Sequence, residues 1–149
     1  MSDDKVMFYV PGKPIPQGSK KWLPNHRMVE ANRDLRPWRA TVTSYTQQAM
    51  SANRSGLTFP LDTPLMVVMS FSFTRPKAHY GTGKNAGKVK DNAPHYVTTT
   101  PDLDKLVRGV NDGITDAGLW VDDSYAVLMQ VSKHYAEQAG VTVIVSPIS

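Results

Sequence analysis

Apolar residues recur along this chain in two rhythms, and the switches between them predict most of its elements. Val6–Val10 (VMFYV) is a short apolar run closed by Pro11 and Gly12, which reads as a buried strand. From Asp34 the spacing changes: Leu35, Trp38, Val42, Tyr45 and Ala49 recur at three and four, forming one face of a helix. Asp34 suits the N-cap of that helix and Pro37 its first turn, and the pattern ends before Gly56. Leu65–Phe73 (LMVVMSFSF) is β-branched and aromatic enough for a strand. After Thr100, the residues Leu103, Leu106, Val107, Val110 and Ile114 draw a second helical stripe, with Gly118 as its C′ stop. Two more strands, about Tyr125–Tyr135 and Val141–Ser146, are joined by a tight AEQAG turn. The order strand, helix, strand, helix, strand, strand predicts one domain over residues 1–149. Its class is α/β in the α+β sense: a small mixed sheet of about four strands packed with two main helices.

Two segments keep neither rhythm. GKPIPQGSKKWLPNHR is rich in Pro, Gly and Lys and reads as an ordered basic loop carrying Lys20 and Lys21. Arg75–Val97 holds Lys77, Lys84, Lys88 and Lys90 before its single acid, Asp91. A loop this long in a small domain is either solvated and flexible or functional, and its basic residues would suit a mobile clamp on phosphates.

Composition narrows the class. At 149 residues, with 40% hydrophobic and 20% charged positions, the chain is long enough to bury a core and reads as globular. The absence of cysteine excludes disulfides and thiolate zinc sites. The acidic start MSDDKVMFYV is no secretory signal, and no run approaches the ~20 apolar residues of a membrane span, so the expectation is a soluble cytoplasmic protein. A pI near 9.4 and a net charge of +4 favour a polyanionic partner, nucleic acid being the commonest.

Against that basic background the acids are gathered in one place. The stretch Thr98–Ser124, TTTPDLDKLVRGVNDGITDAGLWVDDS, contains Asp102, Asp104, Asp112, Asp116, Asp122 and Asp123, six of the chain's 13 acids, against only Lys105 and Arg108. Within a helix, Asp102 and Asp104 would lie about 200° apart and could not share an ion; on extended backbone they would point the same way. Pro101 disfavours helix at Thr100, so the pair falls where extended chain becomes helix, and the two carboxylates can converge. Capping and helix-dipole chemistry account for one or two such acids. They do not account for Asp122–Asp123, just beyond the helix, where half of such acidic turns would be inert surface. Three carboxylates meeting at the helix entrance would make a hard oxygen site for Mg²⁺. Whether Asp123 reaches Asp102 depends on how the chain returns after a helix about 22 Å long. Asp104, Arg108 and Asp112 share one helix stripe. That stripe is either a salt-bridged edge or the placement of a permanent cation beside the metal. Asp116 reads as surface.

The segment PDLDKLVRGVNDGITDAGLWVDDS resembles the signature of the RusA family of Holliday junction resolvases: D-x-D-N-L, a basic residue two positions after the Leu, a helix Asp, then Gly and an acidic pair. The opening strand with VPGKPIPQGSKKW after it, and the RPKAHYGTGKNAG loop, resemble the phage-type branch. The resemblance implies a RusA-like fold and an endodeoxyribonuclease that resolves four-way DNA by paired symmetric hydrolysis. It makes Asp102, Asp104 and Asp123 ligands of Mg²⁺, with Mn²⁺ as a substitute, and Asp112 and Asp122 supporting acids. It further implies a homodimer acting on branched DNA in a bacterial or phage-infected cell, with Lys20, Lys21, Lys77, Lys84, Lys88, Lys90 and Lys105 along the DNA. Two positions depart from the pattern. Arg108 stands where the family has a catalytic lysine; it keeps the charge but cannot release a proton. Lys105 stands where the family has a neutral Asn. Three rival readings remain: a catalytically silent DNA-binding member, a different Mg²⁺-dependent D-x-D enzyme, and a basic structural module whose acids are only caps and turns. No Gly-rich phosphate loop follows a strand here, which weighs against a nucleotide-sugar enzyme.

Overall fold

The structure is a computed structural model, and it describes residues 4–18, 20–22, 24, 28–30 and 33–148, with backbone alone for 20–22 and 28–30. The elements are β1 (Val6–Pro11), β2 (Lys20–Trp22), β3 (Met28–Glu30), α1 (Leu35–Ala52), β4 (Leu65–Phe73), α2 (Leu103–Ala117), β5 (Ala126–Tyr135) and β6 (Gly140–Pro147). The strand order is β1-β6-β4-β5, with β6 antiparallel to both neighbours and β4 parallel to β5. The predicted mixed four-stranded sheet with two helices is therefore the architecture found.

Strand alternation decides which face is covered. In β1, Val6, Phe8 and Val10 are buried while Met7 and Tyr9 are exposed, so this strand buries one face only. Its inner row continues across the ladder through Val141, Val143 and Val145 of β6 to Val67, Met69 and Phe71 of β4. Leu35, Trp38 and Val42 of α1 and Leu106, Val110 and Ile114 of α2 complete this core. Burying a side chain of this size contributes about 1.5–3 kcal/mol. The helices pack closely because α2 offers glycine at the contact. A Cβ at Gly113 would lie 2.7 Å from Val42 Cγ1, and Thr43 Oγ1 donates to Gly113 O at 2.9 Å. Arg39 fastens the outer rim of the same pair, 3.0 Å from Asp116 and 4.0 Å from Asp112.

Two connections differ from the sequence expectation. The basic segment before α1 contains the small antiparallel ladder β2–β3, pairing Lys20 with Glu30 and Trp22 with Met28. The tight turn between β5 and β6 does not make a hairpin, because β4 lies between those strands. Residues 136–139 pass over the end of β4 and are pinned there. Ala136 N donates to Phe73 O at 2.9 Å, and Ser72 Oγ to Gln138 O at 2.9 Å. The parallel pairing of β4 and β5 makes α2 the crossover helix between them, and β5 then runs back toward the entrance of α2.

Candidate active site at the entrance of the second helix

Asp102 is the N-cap residue of α2, with extended backbone at φ −69° and ψ 139°, and Asp104 lies in the first turn. The chain thus changes from extended to helical between them, as Pro101 requires. Although it occupies the cap, the Asp102 side chain makes no capping hydrogen bond. An N-cap Asp ordinarily spends its carboxylate on the N2 or N3 amide. This one is exposed, and its ion-pair neighbour is Lys105 Nζ at 3.7 Å.

The chain leading to Asp102 is held by a residue that the sequence reading passed over. Lys133 Nζ, from β5, donates to Thr99 O at 2.8 Å and to Pro101 O at 2.9 Å. Its ammonium bridges the two carbonyls on either side of Thr100, immediately before the acid pair. The signal was present: alternation in β5 puts Lys133 on the same side as Val131 and Tyr135, an odd place for a lysine without a partner.

The other acids gather elsewhere on α2. Asp122 caps a short 3-10 turn, Asp123–Tyr125, and accepts a hydrogen bond from Ser124 N at 3.0 Å. Hydrogen bonds from Ser124, side chain first and backbone second, hold its pKa below the usual carboxylate value. Asp123 is pushed the other way, by burial first and then by the charges of Asp122 and Asp112. Asp112, Asp122 and Asp123 therefore share one field. Asp112 is eight residues beyond Asp104, about 12 Å along the helix at 1.5 Å per residue. Among the described residues no three His, Cys, Asp or Glu side chains are grouped to hold a metal ion. The structure thus places Asp102 and Asp104 at the helix entrance, Asp112 with Asp122 and Asp123 beside its middle, and brings no trio within one coordination shell. The donor chemistry still fits Mg²⁺, which takes one or two carboxylates and keeps several waters. Asp102 is uncommitted to a cap, and Asp123 is raised first by burial and then by the carboxylates of Asp122 and Asp112.

Arg108 is exposed, and among the described residues no ion pair joins it to Asp104 or Asp112, so the salt-bridged stripe is not formed. Asp116, read as surface, is exposed and paired with Arg39.

A family model described as Endodeoxyribonuclease RusA matches residues 11–146. The chain belongs to the RusA family. A curated relative, "Uncharacterized protein YqaN" of Bacillus subtilis (strain 168), is 37% identical over 68 residues, which are 44% of this chain. The match spans 47%, about half, of that relative's length.

The basic loop of this RusA-family chain is more organised than expected. Within Arg75–Val97, Gly81 N donates to Lys88 O at 2.9 Å and Lys90 N to His79 O at 2.9 Å, so the segment folds back on itself. Its base is clamped by Arg75, which donates to Pro94 O at 2.7 Å and lies 5.2 Å from the centre of the Tyr135 ring. Lys77, Lys84, Lys88 and Lys90 all point into solvent. His134, at the foot of this loop, has its pKa lowered by burial and then by His95. The side chains of Lys20 and Lys21 lie outside the described residues. Among the described residues, no helix is long and apolar enough to cross a membrane.

Proposed function

We propose that this protein is a Mg²⁺-dependent, structure-specific endodeoxyribonuclease that resolves four-way DNA junctions by paired symmetric phosphodiester hydrolysis. The observation that carries the reading is the Asp102 carboxylate, exposed at a helix N-cap inside the RusA signature and making no capping hydrogen bond.

In this reading Asp102, Asp104 and Asp123 would hold the metal, while Asp112 and Asp122 set the negative field. A bound Mg²⁺ would supply acidification of water and charge neutralisation at the leaving oxygen. Arg108, one turn beyond Asp104, supplies a permanent positive charge to the scissile phosphate. Lys133 fixes the direction of the chain at Asp102. Lys77, Lys84, Lys88 and Lys90 follow the phosphates of a junction arm, with Lys20, Lys21 and Lys105 on the same DNA. Two symmetric cuts need two related sites, which a homodimer provides. Val127, Leu128 and Met129, exposed on the edge strand β5, supply apolar surface for pairing, and light scattering would read the dimer mass directly.

One observation favours a second reading. Lys105 Nζ lies 3.7 Å from Asp102, where a resident ammonium competes with a metal for the same carboxylate. A member of the family that binds junctions without cutting them would look like this. Incubating the protein with four-way, flap and duplex DNA, with and without Mg²⁺, separates the two. Mg²⁺-dependent paired nicks in the four-way DNA alone are expected; binding without nicks at any Mg²⁺ concentration would establish the silent member.

A further inference from the structure

A cleft of about 610 Å³ opens directly beside Asp102, between the segment after β1 and the entrance of α2. Its volume lies within the range of small-molecule sites. Pro14, Ile15, Pro16 and Pro101 give it an apolar wall, and Lys13, Arg33 and Lys105 give it positive charge. Asp34 and Asp102 share the lining, so among the described residues cations outnumber carboxylates three to two.

The walls are fixed to one another. Gln17 N donates to Lys105 O at 3.0 Å, tying the loop to the first turn of α2. A Cβ at Gly109 would lie 3.1 Å from Ile15 O, so glycine there lets the loop lie against the helix. Lys133 anchors the opposite rim through Thr99 O and Pro101 O.

We infer that this cleft is a nucleotide subsite, which receives one unstacked nucleotide next to the phosphate to be cut. The inference rests on Asp102 marking the cleavage site. An apolar wall with cations in the same lining fits a base and its phosphate, and stacked duplex offers no base face to such a wall. Only a nucleotide turned out of the stack can enter, and this costs least where stacking is already interrupted. A branch point is such a place. The cleft thereby selects branched DNA by the freedom of one nucleotide, with no need to read base edges.

The test uses four-way DNA carrying 2-aminopurine at successive positions around the mapped cut, bound in EDTA so that no strand is cleaved. A several-fold fluorescence rise is expected at one position within a nucleotide of the cut. Gly18→Phe should abolish it: Gly18 lines the cleft, and a Cβ there meets nothing within 4 Å, so the backbone at this position accepts a side chain. Should that variant fail to fold, Lys13→Ala with Arg33→Ala strips cations from the lining and should reduce the rise and its salt dependence. No rise in the unmodified protein, or a rise untouched by these variants, overturns the subsite. Cleavage by Asp104→Asn would overturn the active-site reading instead, since the fluorescence arm requires no cutting.

Discussion

The two halves of α2 use the same residue type for opposite ends. Toward its C-terminal end, Asp116 is spent on Arg39, and Asp112 leans toward the same guanidinium, so these carboxylates hold α1 against α2. At the entrance, Asp102 takes the cap position without making the cap bond. Its oxygens stay exposed, with the Lys105 ammonium 3.7 Å away and no backbone amide bound. The difference teaches that an acid's role is read from what its oxygens are doing, not from its place in a cluster.

That comparison can be broken at several points. Asp104→Asn should cut Mg²⁺-dependent junction cleavage by about a hundredfold or more while junction binding stays near wild type or tightens. Retained cleavage would mean that the entrance is no more functional than the middle of the helix. Lys133→Met removes the donors but keeps the stem. It should lower kcat by about tenfold with little change in KM and raise the Mg²⁺ needed for half-maximal rate. Lys133→Arg should recover part of the loss, and a matching fall in melting temperature and rate would reduce Lys133 to a structural pin. Replacing Lys84, Lys88 and Lys90 with Ala should make the slope of log affinity against log salt shallower by about 2–3, if each residue neutralises one phosphate. An unaltered slope removes the loop from the DNA.

The smallest effects are on stability, and they should have opposite signs at Asp116 and at Asp123. Asp116→Asn loses an exposed ion pair worth about 0.2–1 kcal/mol and should leave cleavage within about twofold. Asp123 behaves in reverse. Its folded pKa is raised above the ordinary carboxylate value of 3.8, so the fold binds the proton more tightly than the unfolded chain does. Its contribution is favourable below that value and fades as pH rises through the folded pKa. Asp123→Asn should therefore be as stable as wild type at neutral pH, or slightly more so, while losing cleavage. Melting curves at pH 4 and pH 7 would show it, and a variant destabilised at pH 7 would contradict it.

Much of this was legible from spacing. The ranges of β4 and α2 follow directly from Leu65–Phe73 and from the stripe through Ile114, and Gly118 does close α2 in the left-handed region at φ 82°. Those elements are long and bury one face, so their periodicity is strong. The β2–β3 ladder is three residues a side, too short for any rhythm to show. The separation of β5 from β6 was hidden for another reason. A tight turn between two strands normally signals pairing, and only tertiary hydrogen bonds to Phe73 and Ser72 lay this one across β4. In the site, the acids and their position at the helix entrance could be read, whereas whether Asp102 caps its helix could not, because cap and ligand use the same residue at the same place. Lys133 is 31 residues from Asp102 in sequence and comes to it only through the parallel pairing of β4 with β5.

The position of β6 bears on how the protein is made. Val141–Pro147 occupies the middle of the sheet, bonded to β1 on one side and to β4 on the other. A chain emerging from the ribosome thus holds β1 and β4 with nothing to join them until this segment has cleared the exit tunnel. Until then the inner edge of β4 offers open backbone to any neighbouring nascent chain. Closure of the sheet waits on this one segment and is dominated by contacts of very long sequence separation, and misassembly before it is the hazard to expect when the gene is overexpressed.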